Sequence, residues 1–322
     1  MSEIQFNEDL LNKFCFVFDR KKTISYYLFK NVITDKNTYE VYSPLSFKQG
    51  FFSKLYNKFL YKLGKFKIRK NNFKDKIIFF TNESIQNVPR RLLLKIKKKS
   101  KAVVLFFIDE LFNNYNSIRF AKKIMGDNDK FFNLIYTFSP MDAENYLINF
   151  NDSYYSKLKI TPSDNLTDLF FVGSLKDRGN ILQETFNYLN QNDINCNFII
   201  STSSKNRNNK NFNYRTIPYN ECISNVMSTK CILDIVDTRQ SGMTLRYYEA
   251  IVYNKKLLTN NVNIKNMPYY DERFMKIFTD VDDIKKINLE WFKDDTLIDY
   301  GYKGEFEPIS FLKNILNALK VF

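Results

Sequence analysis

The feature that most constrains the fold is a series of short apolar runs that alternate with segments of helical pattern. In the first half these runs are KFCFVF (13–18), TYEVYS (38–43), DKIIFFT (75–81), AVVLFFID (102–109) and FNLIYTFS (132–139). Runs this short and this apolar are typical of strands that are buried on both faces. Because helical segments separate them, the sequence predicts parallel βαβ units and therefore an α/β domain.

The same alternation starts a second time after a polar, turn-rich stretch between residues 149 and 167. The second series is DLFFVGS (168–174), CNFIIS (196–201), CILDIVD (231–237) and KKLLTNN (255–261), and an amphipathic helix over 308–322 follows. A chain of 322 residues is long enough for two domains of ordinary size. We therefore predict two Rossmann-like domains, residues 1–160 and 161–322, with the last helix belonging to the second.

The composition excludes several kinds of chemistry. The chain has no histidine, which excludes a Ser-His-Asp or Cys-His nucleophile and any histidine-ligated metal. Its four cysteines show no CxxC spacing, so we expect them to be buried rather than paired or metal-bound. No apolar run reaches the roughly 18 residues of a membrane-spanning helix, and the first residues do not resemble a signal peptide. We therefore expect a cytoplasmic protein.

The net charge of +14 indicates a partner that carries phosphate. The segment RRLLLKIKKKSK (90–101) is especially basic, and it is either a solvated helix face or a surface for an anionic membrane. The second interpretation would place the protein on the inner face of the cell membrane. The chain shows no RNP-like motif, zinc finger or arginine-rich arm, so we expect no nucleic-acid partner.

One loop in the second half is the clearest candidate for a ligand site. It follows the strand-like run CILDIVD, opens a helix that carries Arg246 and Glu249, and consists of Gln240, Ser241, Gly242, Met243 and Thr244. Ligands of parallel α/β sheets bind beyond the carboxyl ends of the strands, and a helix N-terminus there attracts anions. We expect Gly242 to let the backbone approach a phosphate, Arg246 to contact that phosphate, and Glu249 to bind a ribose. The alternative is a capped helix with an Arg246–Glu249 surface pair.

The stretch QSGMTLRYYEAIVYNKKLLTNN (240–261) resembles the donor-site motif of GT-B glycosyltransferases, especially bacterial enzymes of capsule and lipopolysaccharide assembly. The matching residues are Gln240, Gly242, Thr244, Arg246, Glu249, Ala250, Lys255, Lys256 and Thr259. The run DLFFVGSLKDR (168–178) is similar to the strand and glycine turn that open the donor domain of those enzymes. The chain departs from the family pattern at Asn254, where glycine is usual, and in having a single glutamate in the helix.

The resemblance implies a GT-B fold, in which two Rossmann-like domains face a cleft and the second domain holds the nucleotide. It implies an enzyme that transfers a sugar from a nucleotide-sugar donor to a saccharide or lipid-linked acceptor in surface polysaccharide assembly. Such transfer needs no cofactor and usually no bound metal. Gly173, Arg178 and the residues from Gln240 to Glu249 named above would then bind the donor.

An inverting transfer needs a base, and without histidine the leading candidates are carboxylates of the first domain. Asp109 comes first because it ends an apolar strand, and Glu110 and Glu83 follow. A retaining reaction stays open, as does a purely structural role for Asp109 as a helix cap. Two other functions also stay open: nucleic-acid binding, and service as a non-catalytic partner subunit of a polysaccharide-assembly complex.

Overall fold

The computed structural model describes residues 3–19, 23–41, 73–85, 88–111, 128–201, 210–237 and 240–320, together with Leu55 and Phe59. The chain divides into two compact units. The first consists of Met1–Ser156 and Phe306–Phe322, and the second of Lys157–Glu305. The end of the predicted second strand, TYEVYS, lies outside the described residues.

The first unit contains a parallel sheet of six described strands. They are β1 (Phe14–Phe18), β2 (Thr38–Glu40), β3 (Ile77–Thr81), β4 (Ala102–Phe107), β5 (Leu134–Thr137) and β6 (Asn149–Phe150). Their order across the sheet is β2-β1-β3-β4-β5-β6. The connection that follows β1 leads to β2 on one side of it, and the next connection leads to β3 on its other side. The boundary between β1 and β3 is therefore the topological switch point of this sheet. The five strands predicted in this half are present, and β6 lies in the stretch predicted to be a linker.

Helices cover this sheet, and its core is aromatic and aliphatic. Those described in the first part of the chain are α1 (Glu3–Asn12), α2 (Ile24–Leu28), α3 (Asn82–Ile85), α4 (Arg90–Lys99), α5 (Asn128–Phe131) and α6 (Pro140–Tyr146). Strands β1, β3 and β4 are buried along their whole length, as their unbroken apolar runs predict. Helix α4 buries Leu92, Leu93 and Ile96 and leaves most of its basic residues exposed.

The C-terminal helix, Pro308–Lys320, belongs to the first unit. Phe311 has no exposed surface and stacks on Tyr154 with 4.1 Å between ring centroids. It also contacts the rings of Phe79, Phe106 and Tyr136, which stand on β3, β4 and β5. The sequence predicts this helix as the end of the second domain, and that prediction is wrong because the first sheet covers the apolar face of the helix.

The second unit contains a parallel sheet of five described strands. They are β7 (Thr167–Ser174), β8 (Cys196–Ser201), β9 (Thr229–Asp234), β10 (Lys256–Thr259) and β11 (Met275–Ile277). Their order is β11-β10-β9-β7-β8, so the switch point of this sheet lies between β7 and β9. The described helices are α7 (Gly179–Gln191), α8 (Tyr219–Ser228), α9 (Leu245–Val252), α10 (Val281–Lys285) and α11 (Glu290–Lys293).

These two parallel sheets, the helices around them and the C-terminal helix confirm the α/β class that the sequence predicts. The cysteines are free, and Cys15, Cys222 and Cys231 are buried as expected, whereas Cys196 is partly exposed. In the part of the chain that the structure describes, no helix combines the length and the apolar character that crossing a membrane requires.

Candidate functional site

Arg178 lies at the switch point of the second sheet. It ends a 3₁₀ turn, Lys176–Arg178, that directly follows β7. Its Nη2 donates to the carbonyl oxygen of Ser174 at 2.9 Å, and its Nη1 donates to the carbonyl oxygen of Ile235, just beyond β9. The guanidinium also lies over the Phe171 ring, 5.8 Å from its centroid. Arg178 therefore holds together the carboxyl ends of the two strands between which ligands of such sheets bind.

Two neighbours of Arg178 explain its packing and its charge. Gly173 leaves room for it, because a Cβ there would lie 3.1 Å from the Phe171 ring and 3.8 Å from Nη2 of Arg178. Burial lowers the pKa of Arg178, and the nearby carboxylates of Asp234 and Asp237 oppose that change. The guanidinium stays protonated at any physiological pH, so it contributes a fixed positive charge.

The predicted loop Gln240–Thr244 is a well-held turn that leads into α9. Thr244 caps this helix, and its Oγ1 accepts a hydrogen bond from the backbone N–H of Arg246 at 3.2 Å. The side-chain amide of Gln240 donates to the carbonyl oxygen of Gly242 at 3.2 Å. Met243 is buried against Asn261, whereas Gln240 and Ser241 are partly exposed. The loop thus brings a capped helix N-terminus to the carboxyl end of the second sheet.

Arg246 and Glu249 form a buried pair that joins α9 to α8. The Glu249 carboxylate has no exposed surface; it accepts hydrogen bonds from Nη1 of Arg246 and, at 2.9 Å, from the hydroxyl of Tyr219. Nη1 of Arg246 also donates to Sγ of Cys222 at 3.2 Å. Burial raises the pKa of Glu249, and Arg246 and Tyr219 oppose this by stabilising the carboxylate. The Arg246–Glu249 pair, which the sequence offers as an alternative to a donor site, is therefore present, but Glu249 is buried rather than on the surface. A ribose contact by Glu249 stays a prediction.

Asp234 is a buried acid of this region that sequence reasoning missed. It ends β9 and accepts a hydrogen bond from Thr259 Oγ1 at 3.1 Å, and the Thr244 side chain also bonds to it. Burial raises its pKa, while Arg246 and Arg178 favour its charged form. The signal was available, because Asp234 is an acid between apolar residues in CILDIVD. Asp234 links the helix cap to both arginines.

A second group of polar side chains lies at the carboxyl edge of the first sheet. Asp19 follows β1, Glu83 lies in α3 directly after β3, and Asp109 comes two residues after β4. The hydroxyl of Ser25, in α2, donates to Oε2 of Glu83 at 2.5 Å. Burial raises the pKa of Glu83 to about 7, Ser25 opposes this, and the charges of Asp109 and Asp19 add to it. The charges of Asp19, which sequence reasoning did not single out, and of Asp109 thus both act on Glu83.

Glu110 belongs to a different pair from its neighbour Asp109. Asp109 is exposed, whereas Glu110 is only 2% exposed and raises the pKa of Asp142 through its charge. Burial is the largest cause of the Asp142 pKa being raised to about 6, and the backbone N–H of Leu111 opposes it by donating to Oδ2 at 2.9 Å. Asp142 lies in the first turn of α6, where Ser139 caps the helix. The three predicted base candidates therefore occupy two separate environments.

The residues that the structure describes do not form a preorganised metal site. No group of three or more cysteine, aspartate or glutamate side chains among them is placed to hold a metal ion.

No protein-family model matches the chain, and no curated protein does. Solved structures that match include the UDP-N-acetylglucosamine 2-epimerase from Rickettsia bellii, with a TM-score of 0.53, 11% identity, and 96% of this chain and 97% of that chain covered. The T4 phage BGT in complex with its UDP-glucose substrate matches with a TM-score of 0.47 and 14% identity, over 96% of this chain and 95% of that chain. The glycotransferase of kitacinnamycin matches with a TM-score of 0.40 and 8% identity, over 98% and 91% of the two chains. The similarity is one of fold, and it confirms the GT-B fold that the sequence motif predicts.

Proposed function

We propose that the chain is a glycosyltransferase that moves a sugar from a nucleotide-sugar donor to a saccharide or lipid-linked acceptor in surface polysaccharide assembly. The observation that carries the proposal is the position of Arg178, which bridges β7 and β9 at the switch point of the second sheet. The capped N-terminus of α9 lies at the same edge. A guanidinium and a helix N-terminus are the groups that bind a diphosphate in such sheets.

Two further observations support a nucleotide sugar as the ligand. The stretch 240–261 resembles the donor motif of GT-B glycosyltransferases, and the loop in it has the turn and helix cap that such a motif needs. The epimerase of the same fold is named for UDP-N-acetylglucosamine, which makes uridine nucleotide sugars the first donors to test.

Within this proposal, Arg178 and the loop amides around Gly242 and Met243 neutralise the leaving diphosphate. Thr244 and Gln240 hold the loop in shape through the hydrogen bonds described above. Glu249 contacts the donor directly only if nucleotide binding separates it from Arg246, because Glu249 has no exposed surface. The Arg246 side chain keeps 16% of its surface exposed and can reach the donor while it stays paired. We therefore assign the pair to holding α9 in place before the donor binds.

The proposed transfer takes place without a bound metal or cofactor, because the positive charge comes from protein groups. Removal of divalent cations with EDTA tests this part. Unchanged turnover after dialysis against EDTA is the expected result, and loss of turnover that Mg²⁺ or Mn²⁺ restores would contradict it.

The function itself is tested by incubating the full chain with UDP-, GDP-, TDP- and CMP-sugars and measuring release of the free nucleotide. We expect release from one class of donor, faster when a saccharide or lipid-linked acceptor is present. Identification of the sugar product then distinguishes transfer from isomerisation of the donor. Recovery of an epimerised donor, without an acceptor product, would contradict a transferase.

We also propose that α4 places the protein on an anionic membrane surface on the cytoplasmic side. Helix α4 exposes Arg90, Arg91, Lys95, Lys98 and Lys99 on the face opposite its buried leucines. The helix itself contains no acidic residue. Each lysine or arginine near an anionic leaflet contributes about 1 kcal/mol, so several together suffice for reversible binding.

Flotation with liposomes measures this association. Binding to anionic vesicles and not to neutral ones is expected, and it should be lost after Lys95→Glu with Lys98→Glu. Lys285→Glu with Lys286→Glu is the matched control, because these exposed lysines at the end of α10 and directly after it lie in the second unit and pair with Asp282 and Asp283. Equal binding to both kinds of vesicle, or equal loss in both double variants, would contradict the proposed surface.

A further inference from the structure

A serine and a glutamate form a close pair at the switch point of the first sheet, between β1 and β3. Ser25 Oγ donates to Oε2 of Glu83 at 2.5 Å, across 58 positions of the sequence. A bond this short is typical of a hydroxyl that donates to an ionised carboxylate. Oγ1 of Thr23 lies 3.0 Å from Ser25 Oγ, so the serine hydroxyl has a second polar neighbour that limits its orientation.

The surroundings of this pair suit exchange of protons near neutral pH. Ser25 has no exposed surface, whereas Glu83 as a residue is only partly buried. The groups that act on the Glu83 carboxyl are Ser25 from α2, Asp19 at the end of β1 and Asp109 beyond β4. Burial together with the two negative charges brings the pKa of Glu83 to about 7, which is the range that a general base needs.

We propose, resting on the glycosyl transfer proposed above, that Glu83 is the base for the acceptor and that Ser25 is its positioning residue. The acceptor oxygen forms a bond to the anomeric carbon, and the bond from that carbon to the diphosphate breaks with its electron pair on the diphosphate oxygen. The hydroxyl proton goes to the Glu83 carboxylate, which later returns it to water. Asp109 acts on Glu83 through its charge and does not itself take the proton.

The other two carboxylates fit this role less well. Asp109 is the first choice from the sequence, but it lies beyond β4, which is one strand away from the switch point. Its side chain is also exposed to water. Glu110 is 2% exposed and interacts with Asp142, so an acceptor hydroxyl has no access to it in this structure. Glu83 lies at the switch point, is held by the hydrogen bond from Ser25, and is less buried than Glu110.

The proposal fixes the direction of three pH effects. Ser25→Ala removes a bond that stabilises the carboxylate, so the pKa of Glu83 rises and the acid limb of kcat/KM moves to higher pH. Asp109→Asn removes a negative charge, so the pKa falls and the limb moves to lower pH. Ser25→Thr keeps a hydroxyl and should restore the wild-type limb. Glu83→Gln removes the base and should lower kcat about 10²- to 10⁴-fold.

Two measurements on the full chain test the proposal. Infrared difference spectra between pH 5 and 9 follow carboxyl protonation in the free protein, and the assay of nucleotide release gives kcat/KM against pH. We expect a carboxyl band that titrates near pH 7 in the wild type, is missing in Glu83→Gln, and moves in opposite directions in Ser25→Ala and Asp109→Asn. Asp142→Asn is the matched control, because it removes another buried carboxyl group of the same sheet edge and should leave the acid limb in place.

The outcomes separate this proposal from the function on which it rests. Glu83→Gln that turns over at the wild-type rate would overturn the proposal, and so would Asp109→Asn that abolishes turnover at every pH. An acid limb that moves only in Asp142→Asn would transfer the role to the Glu110–Asp142 pair. A wild-type chain that titrates as described but transfers no sugar from any donor would refute the proposed function instead.

Discussion

Replacing Glu83 by glutamine should change stability in a pH-dependent way, and the size of the change follows from one carboxyl group. Burial is the largest cause that raises the pKa of Glu83 from the ordinary 4.5 to about 7. A carboxyl group with a raised pKa holds its proton more tightly in the folded state than in the unfolded state. The folded state is therefore penalised as pH rises: the penalty is absent below about pH 4.5, grows up to about pH 7 and then stays constant.

The magnitude comes from the same pair of values. Each tenfold difference in proton affinity corresponds to about 1.4 kcal/mol, so the full penalty is about 3 kcal/mol. Glutamine does not titrate and can still accept the hydrogen bond from Ser25. The quantity to compare is the free energy of unfolding of Glu83→Gln minus that of the wild type. We expect this difference to be about 3 kcal/mol larger at pH 8.5 than at pH 4.5.

Urea unfolding at the two pH values measures this difference. The single tryptophan, Trp291, lies in the second unit, so unfolding of the first unit is followed by hydrogen exchange of its strands instead. Glu144→Gln, at an exposed position of the same unit, is the matched control for the substitution itself. A pH-independent difference for Glu83→Gln would show that the pKa of Glu83 is not raised in the folded protein.

Two further changes test the second unit. Glu249→Leu leaves the charge of Arg246 without its partner and should lower the free energy of unfolding by about 3–5 kcal/mol, whereas Arg246→Met with Glu249→Leu should lose less than the sum of the single changes Arg246→Met and Glu249→Leu. Urea unfolding followed by tryptophan fluorescence measures this cycle, and additive losses would contradict a coupled pair. Arg178→Lys should weaken nucleotide binding by about 1.5–3 kcal/mol in a calorimetric titration, because it loses the forked donor. Arg273→Lys, at a 73% exposed side chain, is its control, and equal affinity of both variants would remove Arg178 from the donor site.

Much of the fold could be predicted because the strands are marked by local sequence. The run AVVLFF of β4 is buried along its whole length, so its apolar character alone indicates a strand. Strands β6 and β11 have two and three residues and are too short to show a pattern. The C-terminal helix was predicted from its spacing, but its location depends on contacts between Phe311 and rings such as Tyr154 and Phe106, which lie far away in the sequence.

The candidate site also consists of local features, which the sequence predicts, and of long-range contacts, which it does not. The turn and helix cap at Gln240–Thr244 are local features, so the sequence locates them correctly, while their role in donor binding stays a prediction. The contacts that set the charge of each site are long-range. Tyr219 and Glu249 are 30 residues apart, and Ser25 and Glu83 are 58 apart, so no spacing rule connects them. Ranking Asp109 above Glu83 followed from strand ends alone, which carry no information on neighbours or burial.

Nucleotide binding by the second unit is measured from the unfolding temperature of this unit, read from Trp291 fluorescence, with UDP, GDP, CMP and TDP. If this unit binds the nucleotide of the donor, one of these ligands at about 100 times its Kd should stabilise it by about 2.7 kcal/mol. The same ligand should have less effect on the Arg178→Lys variant than on the wild type. An unfolding temperature that none of the four nucleotides raises, even at millimolar concentration, would contradict the account.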